Sequence, residues 1–232
     1  MSGQTNQSES GQETNANSAK RRTFRSLKPG LVWEVALAIL AFGVVYARIN
    51  GGLRLGPSWL IPSILLLLVF ARIAAARTNR HDVARIAALL GVTIGTVAIE
   101  VSVAMLVHRL LEQDVSAPYL LRDAAMLWVA NVIIFGVWYW EIDGGGHHTR
   151  RVEGYRPTDL AFPQIQLERL FPDGWTPQFI DYLFVSFNAS AAFSPTDTLF
   201  LSRRAKILMM LQAMNSVVLI AVVAARAVNI LH

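Results

Sequence analysis

The sequence predicts an all-α membrane protein with about five transmembrane helices and a short re-entrant or surface helix before the last span. Three observations predict it. Hydrophobic residues make up 53% of the chain and charged residues only 16%, well below the roughly 25% charged content of soluble domains. Five apolar runs approach the length needed to cross a hydrocarbon core about 30 Å thick, which takes about 20 helical residues. Basic residues gather between alternate runs, as they do on the cytoplasmic side of a membrane.

The 232 residues suffice for one compact membrane body and no second large domain. The net charge of +5 is carried mostly by arginines that flank the apolar runs. They form no stripe of the kind that follows a nucleic-acid groove, so no nucleic-acid partner is expected. The absence of cysteine excludes disulfides, iron–sulfur clusters and thiolate metal sites. No Gly-x-Ser-x-Gly, P-loop, His-Glu-x-x-His or dinucleotide signature is present, and neither enzyme activity nor a cofactor is expected.

Residues 1–29 are expected to form a disordered, basic cytoplasmic tail. Its first 19 residues are a low-complexity run of Ser, Gln, Asn, Gly, Thr and Glu, which buries too little apolar surface to offset its ordering entropy. No secretory leader is evident in it. Residues 30–140 read as a four-helix membrane region. Its runs are Leu31–Tyr46, closed by Arg48 and the turn Asn50-Gly51-Gly52, then Pro57–Ala76, Val83–Val107 and Leu120–Trp140. Residues 141–176 read as a cytoplasmic or interfacial loop, and 177–232 as a pore-loop-like helix followed by the final span, Ala205–Leu231. Trp33, Trp59, Trp138, Trp140 and Trp175 fall near the expected interfaces, where amphipathic rings settle.

With the N-terminus inside, sixteen basic residues fall on the cytoplasmic side. Five fall on the other: Arg48, Arg54, Arg109, Arg122 and Arg226. The positive-inside rule therefore predicts a multi-pass protein of the cell membrane with a cytoplasmic N-terminus. Richness in alanine and arginine points to a bacterial inner membrane.

The loop opens with Glu141-Ile142-Asp143-Gly144-Gly145-Gly146-His147-His148, which reads as a flexible hinge. Its acids and histidines carry metal-binding atoms, but adjacent histidines converge poorly on one ion, and no metal is expected. Phe162, Ile165, Leu167, Leu170 and Phe171 alternate with polar residues, the pattern of an amphipathic helix or loop lying in the interface. Pro177 to Asn188 then predicts a helix of three turns with proline in the first. At about 17 Å it is too short to cross, so it either re-enters the membrane or lies on its surface.

From Asp181 to Leu231 the features come in a definite order. A short aromatic helix with Tyr182, Phe184 and Phe187 carries small and hydroxyl residues, Ser186, Ala189, Ser190, Ala191 and Ala192. The irregular stretch Phe193-Ser194-Pro195-Thr196-Asp197 follows. The linker Ser202-Arg203-Arg204-Ala205-Lys206 then enters the long last helix. Over about 50 residues this order resembles the pore-loop and inner-helix region of the potassium-channel superfamily. The resemblance implies a pore loop whose candidate residues are Ser186, Asn188, Ser190, Ser194, Thr196 and Asp197, with one acid per subunit concentrating cations at a mouth. In those channels the pore helix leads into Thr-Val-Gly-Tyr-Gly-Asp. Here Phe193–Thr196 has no glycine, and Pro195 fixes φ near about −65°. The loop also falls on the cytoplasmic side, an inverted arrangement like that in ionotropic glutamate receptors. The whole chain resembles an uncharacterised family of bacterial polytopic integral membrane proteins, which implies no particular activity. A structural role is the alternative for two of the candidates, Asp197 as N-cap of the last helix and Asn188 as cap of the short helix.

Glu100 lies well inside the third run, where a charge costs about 2.5–3.5 kcal/mol on insertion scales. It is expected to face the protein interior, to be paired or to be protonated. Helical rise places Arg226 about 10 Å deeper, a gap much of which their long side chains could close. The same arithmetic places Asn131 and Asn215 at matching depths of about 15 Å, suited to a shared interhelical hydrogen bond. These groups serve either as polar glue or as a proton or ion pathway with Glu100 as its titrating member.

These readings favour a channel-like protein passing monovalent cations across the lipid bilayer. It would be a homo-oligomer, because one such segment per chain closes no pore. A non-conducting scaffold whose cytoplasmic loop binds a partner is the alternative. A small transporter is a further one, although the five runs show no inverted repeat. Placement of the 177–188 helix discriminates: insertion among the spans favours permeation, and a surface position favours the scaffold.

Overall fold

The computed structural model describes residues 31–112, 117–165, 167, 175–194 and 197–230. The expected N-terminal tail and the Leu170–Phe171 end of the expected interfacial segment lie outside them.

All five expected runs are helices: α1 (Leu31–Arg48), α2 (Leu60–Arg77), α3 (His81–Glu112), α4 (Ala117–Ile142) and α7 (Arg203–Ile230), with a short α5 (His147–Glu153) and α6 (Phe179–Ala191) between the last two. α3 extends beyond its expected ends, Val83 and Val107: Asp82 in its first turn and Arg109 in its last suit the helix dipole, and Arg109 and Leu110 are good helix formers. Asn79, at φ 59°, turns the chain between α2 and α3, a left-handed position that asparagine tolerates. Four helices, α2, α3, α4 and α7, are long and apolar enough to cross a membrane. The only strands among the described residues are two short ones, Leu160–Ala161 (β1) and Leu199–Phe200 (β2), paired antiparallel with Leu160 opposite Phe200.

Helix α4 is the hub, packed against α1, α3, α6 and α7. Its sequence explains this, because apolar residues occupy every side of it and a helix apolar all round belongs in a core. Ala124, Leu127, Ala130, Ile134, Phe135, Val137, Tyr139 and Trp140 are all buried. Trp140 therefore departs from the expected interfacial belt: it sits between Phe179, Tyr182 and His147. Trp138 donates to Thr96 on α3 at 2.8 Å, whereas Trp33 and Trp59 are exposed.

Helix α6 runs antiparallel to α4 along its second half. Phe179 and Tyr182 meet Trp140 edge-on, the backbone of Leu183 faces Gly136, Ser186 bonds to Val132 and Ser190 to Trp128. Gly136 permits this approach, since a Cβ there would stand 3.3 Å from the Leu183 backbone. A capping box begins α6, in which the Gln178 N–H donates to the Asp181 carboxylate at 2.7 Å. Helix α7 also runs antiparallel to α4, from Arg204 beside Ile142 to Asn215 and Ser216 beside Asn131. Ser202 caps it, accepting from the Ala205 N–H. The N-cap role considered for Asp197 thus belongs to Ser202.

The expected hinge at residues 141–148 is instead a pinned junction. Asp143 is fully buried. It accepts from the backbone N–H of Asp159 and Leu160 and from the Tyr182 hydroxyl at 2.8 Å. Arg150, buried at 2% exposure, donates to the carbonyls of Trp140 and Asp143 and lies over the Trp140 ring. The glycines supply the left-handed turn, with φ between 59° and 92° at Gly144, Gly145 and Gly146. Phe162, expected in an interfacial segment, is buried against Tyr182 and Trp175.

Candidate functional site

Polar side chains from α3, α4, α6 and α7 meet inside the bundle. On α7, Gln212, Asn215 and Ser216 lie three and four residues apart and so share a face. Gln212 is completely buried. Its amide nitrogen lies 2.7 Å from the Ser186 carbonyl, the Ser186 hydroxyl and the Ser190 hydroxyl. Its amide oxygen accepts from Tyr139 at 2.6 Å. The Ser186 hydroxyl donates onward to the Val132 carbonyl at 2.7 Å.

The network continues towards α3. Asn131 donates to the Gln212 carbonyl and to Ser216. Asn215 donates to Asn131 at 3.4 Å and, with better geometry, to Glu100 at 2.8 Å. The expected Asn131–Asn215 pair is therefore present. The expected Glu100–Arg226 pair is not, because Asn215 holds the level of Glu100. Arg226 stands eleven residues further along α7, about 16 Å of helical rise. It is buried, and its Nε and one terminal nitrogen bond to no described residue.

The six pore-loop candidates separate into three groups. Ser186 and Ser190 are fully buried and turned towards Gln212, so within one chain they join helices and line no open space. Asn188, half-buried, donates back to the Phe184 carbonyl at 3.0 Å, and its own carbonyl accepts from the Ala192 N–H at 2.8 Å. This is the helix-ending role of the two considered for it. Ser194 and Asp197 are exposed on the chain that returns from α6 towards α7. Thr196 lies outside the described residues. Phe193, the residue after the α6 cap, adopts φ 54°, a left-handed conformation that costs a non-glycine residue roughly 1–2 kcal/mol.

At the loop end of the bundle, Asp159 is fully buried and binds Arg204 through both carboxylate oxygens at 2.6 Å. Ser202 and Thr158 also donate to it. Burial alone raises its pKa, but the bonds from Arg204, Ser202 and Thr158 outweigh that and hold it below the ordinary carboxylate value. His147 and His148 diverge: one stacks on Trp140, the other on His81. No three metal-ligating side chains gather among the described residues.

Sequence reasoning singled out Asn131, Asn215 and Glu100, missed Gln212 and Tyr139, and took Asp143 for part of a flexible hinge. The signal for Gln212 is local, an amide one turn before Asn215 in an apolar helix. Asp143 and Arg150 carry no such signal, since a glycine-rich loop conceals their burial. Among known proteins, no family model, no curated protein and no solved structure matches this chain.

Proposed function

We propose that this is a multi-pass membrane protein with a cytoplasmic N-terminus, in which α6 is a re-entrant helix and several copies assemble around a monovalent-cation path. The polarity of α6 supports its insertion. Ile180, Phe184 and Phe187 form an exposed apolar stripe, while Ser186 and Ser190 face protein. A helix lying between protein and water has the reverse pattern. The same inversion holds across the bundle, where Leu67, Phe70, Met210 and Met214 are exposed and Asn131, Gln212 and Asn215 are buried.

The observation that carries the permeation reading is where α6 ends. The Ser190 carbonyl accepts from Trp128, fourteen residues before the end of α4, or about 21 Å along a helix about 39 Å long. The end of α6 therefore sits near mid-bilayer in this reading. Ala192, Phe193 and Ser194 follow in non-helical, exposed backbone. Exposed irregular backbone is not tolerated against lipid at such depth, and survives only where protein covers it or water reaches it. The carbonyl end of α6 adds partial negative charge there, and Asp197 adds a carboxylate on the return. This combination suits a water-filled, cation-attracting path between copies.

The test is cation flux into liposomes containing the full chain, with Asp197→Asn as comparison. Lowered flux in the variant places a mouth at this loop. Flux no greater than that of empty liposomes, from correctly folded protein, removes the permeation reading and leaves a scaffold.

A further inference from the structure

At the loop end, away from the polar network, a cavity of about 230 Å³ opens between α2, α3 and α5. Arg72 projects from α2, Arg85 from α3 and Arg151 from α5. Two acids share the cavity. Glu141 is buried and already bound to Arg72 at 2.6 Å. Asp82 is exposed. Arg85 and Arg151 are exposed and make no hydrogen bond or ion pair with a described residue. His81, His147 and His148 complete the polar wall, with the His81 and His148 rings stacked 3.6 Å apart. Cationic and protonatable groups therefore crowd one small space with a single carboxylate uncommitted.

We propose that this cavity binds a phosphate group, carried by an anionic lipid headgroup or by a soluble phosphate ester. Planar guanidinium forks on separate elements suit a tetrahedral oxyanion, which accepts several charge-assisted bonds at once. The size fits as well: drug-sized ligands occupy about 300–1,000 Å³, and a smaller cavity admits a phosphate with a short substituent. Ile73, Ala76 and Ala84 give the cavity an apolar wall for that substituent. Crowding also acts on the histidines. Burial first, then Arg150, Arg72 and Arg151, lower the His147 pKa to about 4, and an anion between these groups relieves the repulsion.

The test uses the full chain in neutral detergent, with inorganic phosphate titrated at constant ionic strength and the thermal midpoint recorded. Phosphate should raise the midpoint by several degrees, as a ligand of the folded state does by mass action. The pair Arg85→Gln and Arg151→Gln should abolish the rise. The pair Arg77→Gln and Arg80→Gln, on the same end but outside the cavity, removes equal charge and should preserve it. Equal rises in both double variants, or none in the wild type, overturn the proposal. Arg85→Lys keeps the charge without the fork and should raise the half-maximal phosphate concentration several-fold; an unchanged value also overturns it. Native mass spectrometry after extraction from vesicles distinguishes the source. Phosphatidic acid retained over phosphatidylcholine, and lost with Arg85 and Arg151, assigns a headgroup. A phosphate effect without retained lipid assigns a soluble ester.

Discussion

The Gln212 side-chain amide lies 2.7 Å from the Ser186 hydroxyl, and this contact joins α7 to α6 at the buried centre of the bundle. Replacing Gln212 with leucine leaves Tyr139 and both serines without their shared partner. Interhelical hydrogen bonds in membranes average about 0.6 kcal/mol, and a buried group left unsatisfied costs about 1–3 kcal/mol. Gln212→Leu should therefore destabilise the protein by about 2 kcal/mol. Thermal unfolding in detergent should show the loss, and hydrogen exchange should show faster exchange in α6 than in α2.

Gly136 tests the same interface from the α4 side. Alanine is worth about 1 kcal/mol more than glycine inside a helix, which alone predicts stabilisation. The added Cβ, however, meets Leu183 backbone at 3.3 Å, and α6 is held there by Ser186 and Trp140. Gly136→Val, bulkier still, should destabilise by about 1–3 kcal/mol through overpacking. A midpoint equal to or above that of wild type would show that α6 is free to move aside.

Glu100 accepts from Asn215, an interaction that glutamine's oxygen can also make. Glu100→Gln should keep the fold within about 0.5 kcal/mol, the range of substitutions that break no buried interaction. If the Glu100 charge assists cation passage, the variant should lower flux into liposomes while keeping its thermal midpoint. Equal flux for wild type and variant assigns Glu100 to packing alone.

The Asp159–Arg204 pair predicts a specific acid response. The carboxyl is held below the ordinary carboxylate value in the folded state, so its contribution is complete above that ordinary value. It is lost as pH falls through the lower, folded pKa. Asp159→Asn should cost about 1–2 kcal/mol at pH 7, a modest figure because Arg204 is half-exposed. The gap between wild type and variant midpoints should narrow steadily as pH falls below the ordinary carboxylate range. A gap that does not change with pH there would mean that the loss is one of packing.

The chain has no cysteine, so single cysteines report accessibility without background. Ser194→Cys should react with a charged, membrane-impermeant thiol reagent in reconstituted protein, and Phe184→Cys, on the outer apolar face of α6, should not. Modification at position 194 should also reduce any flux. Equal protection of both positions would place the α6 tip against lipid or protein instead of water.

The sequence by itself determined the helices. Apolar length and period are local properties, so Leu31–Tyr46, Pro57–Ala76 and the later runs appear as α1, α2, α3, α4 and α7 with ends displaced by a few residues. It also determined that residues 177–188 form a short helix, and that Asn131 and Asn215 lie at one level. Only the tertiary structure decided the partner of Glu100, the inward aim of Ser186 and Ser190, and the burial of Asp143 and Arg150. The physical reason is the same in each case. Rise per residue gives depth along a helix but not rotation about its axis or tilt against a neighbour. Those were set by contacts such as Gly136 against Leu183, which bring distant residues to one face. A glycine-rich loop likewise reads as freedom until its carboxylate finds two backbone N–H groups and a tyrosine.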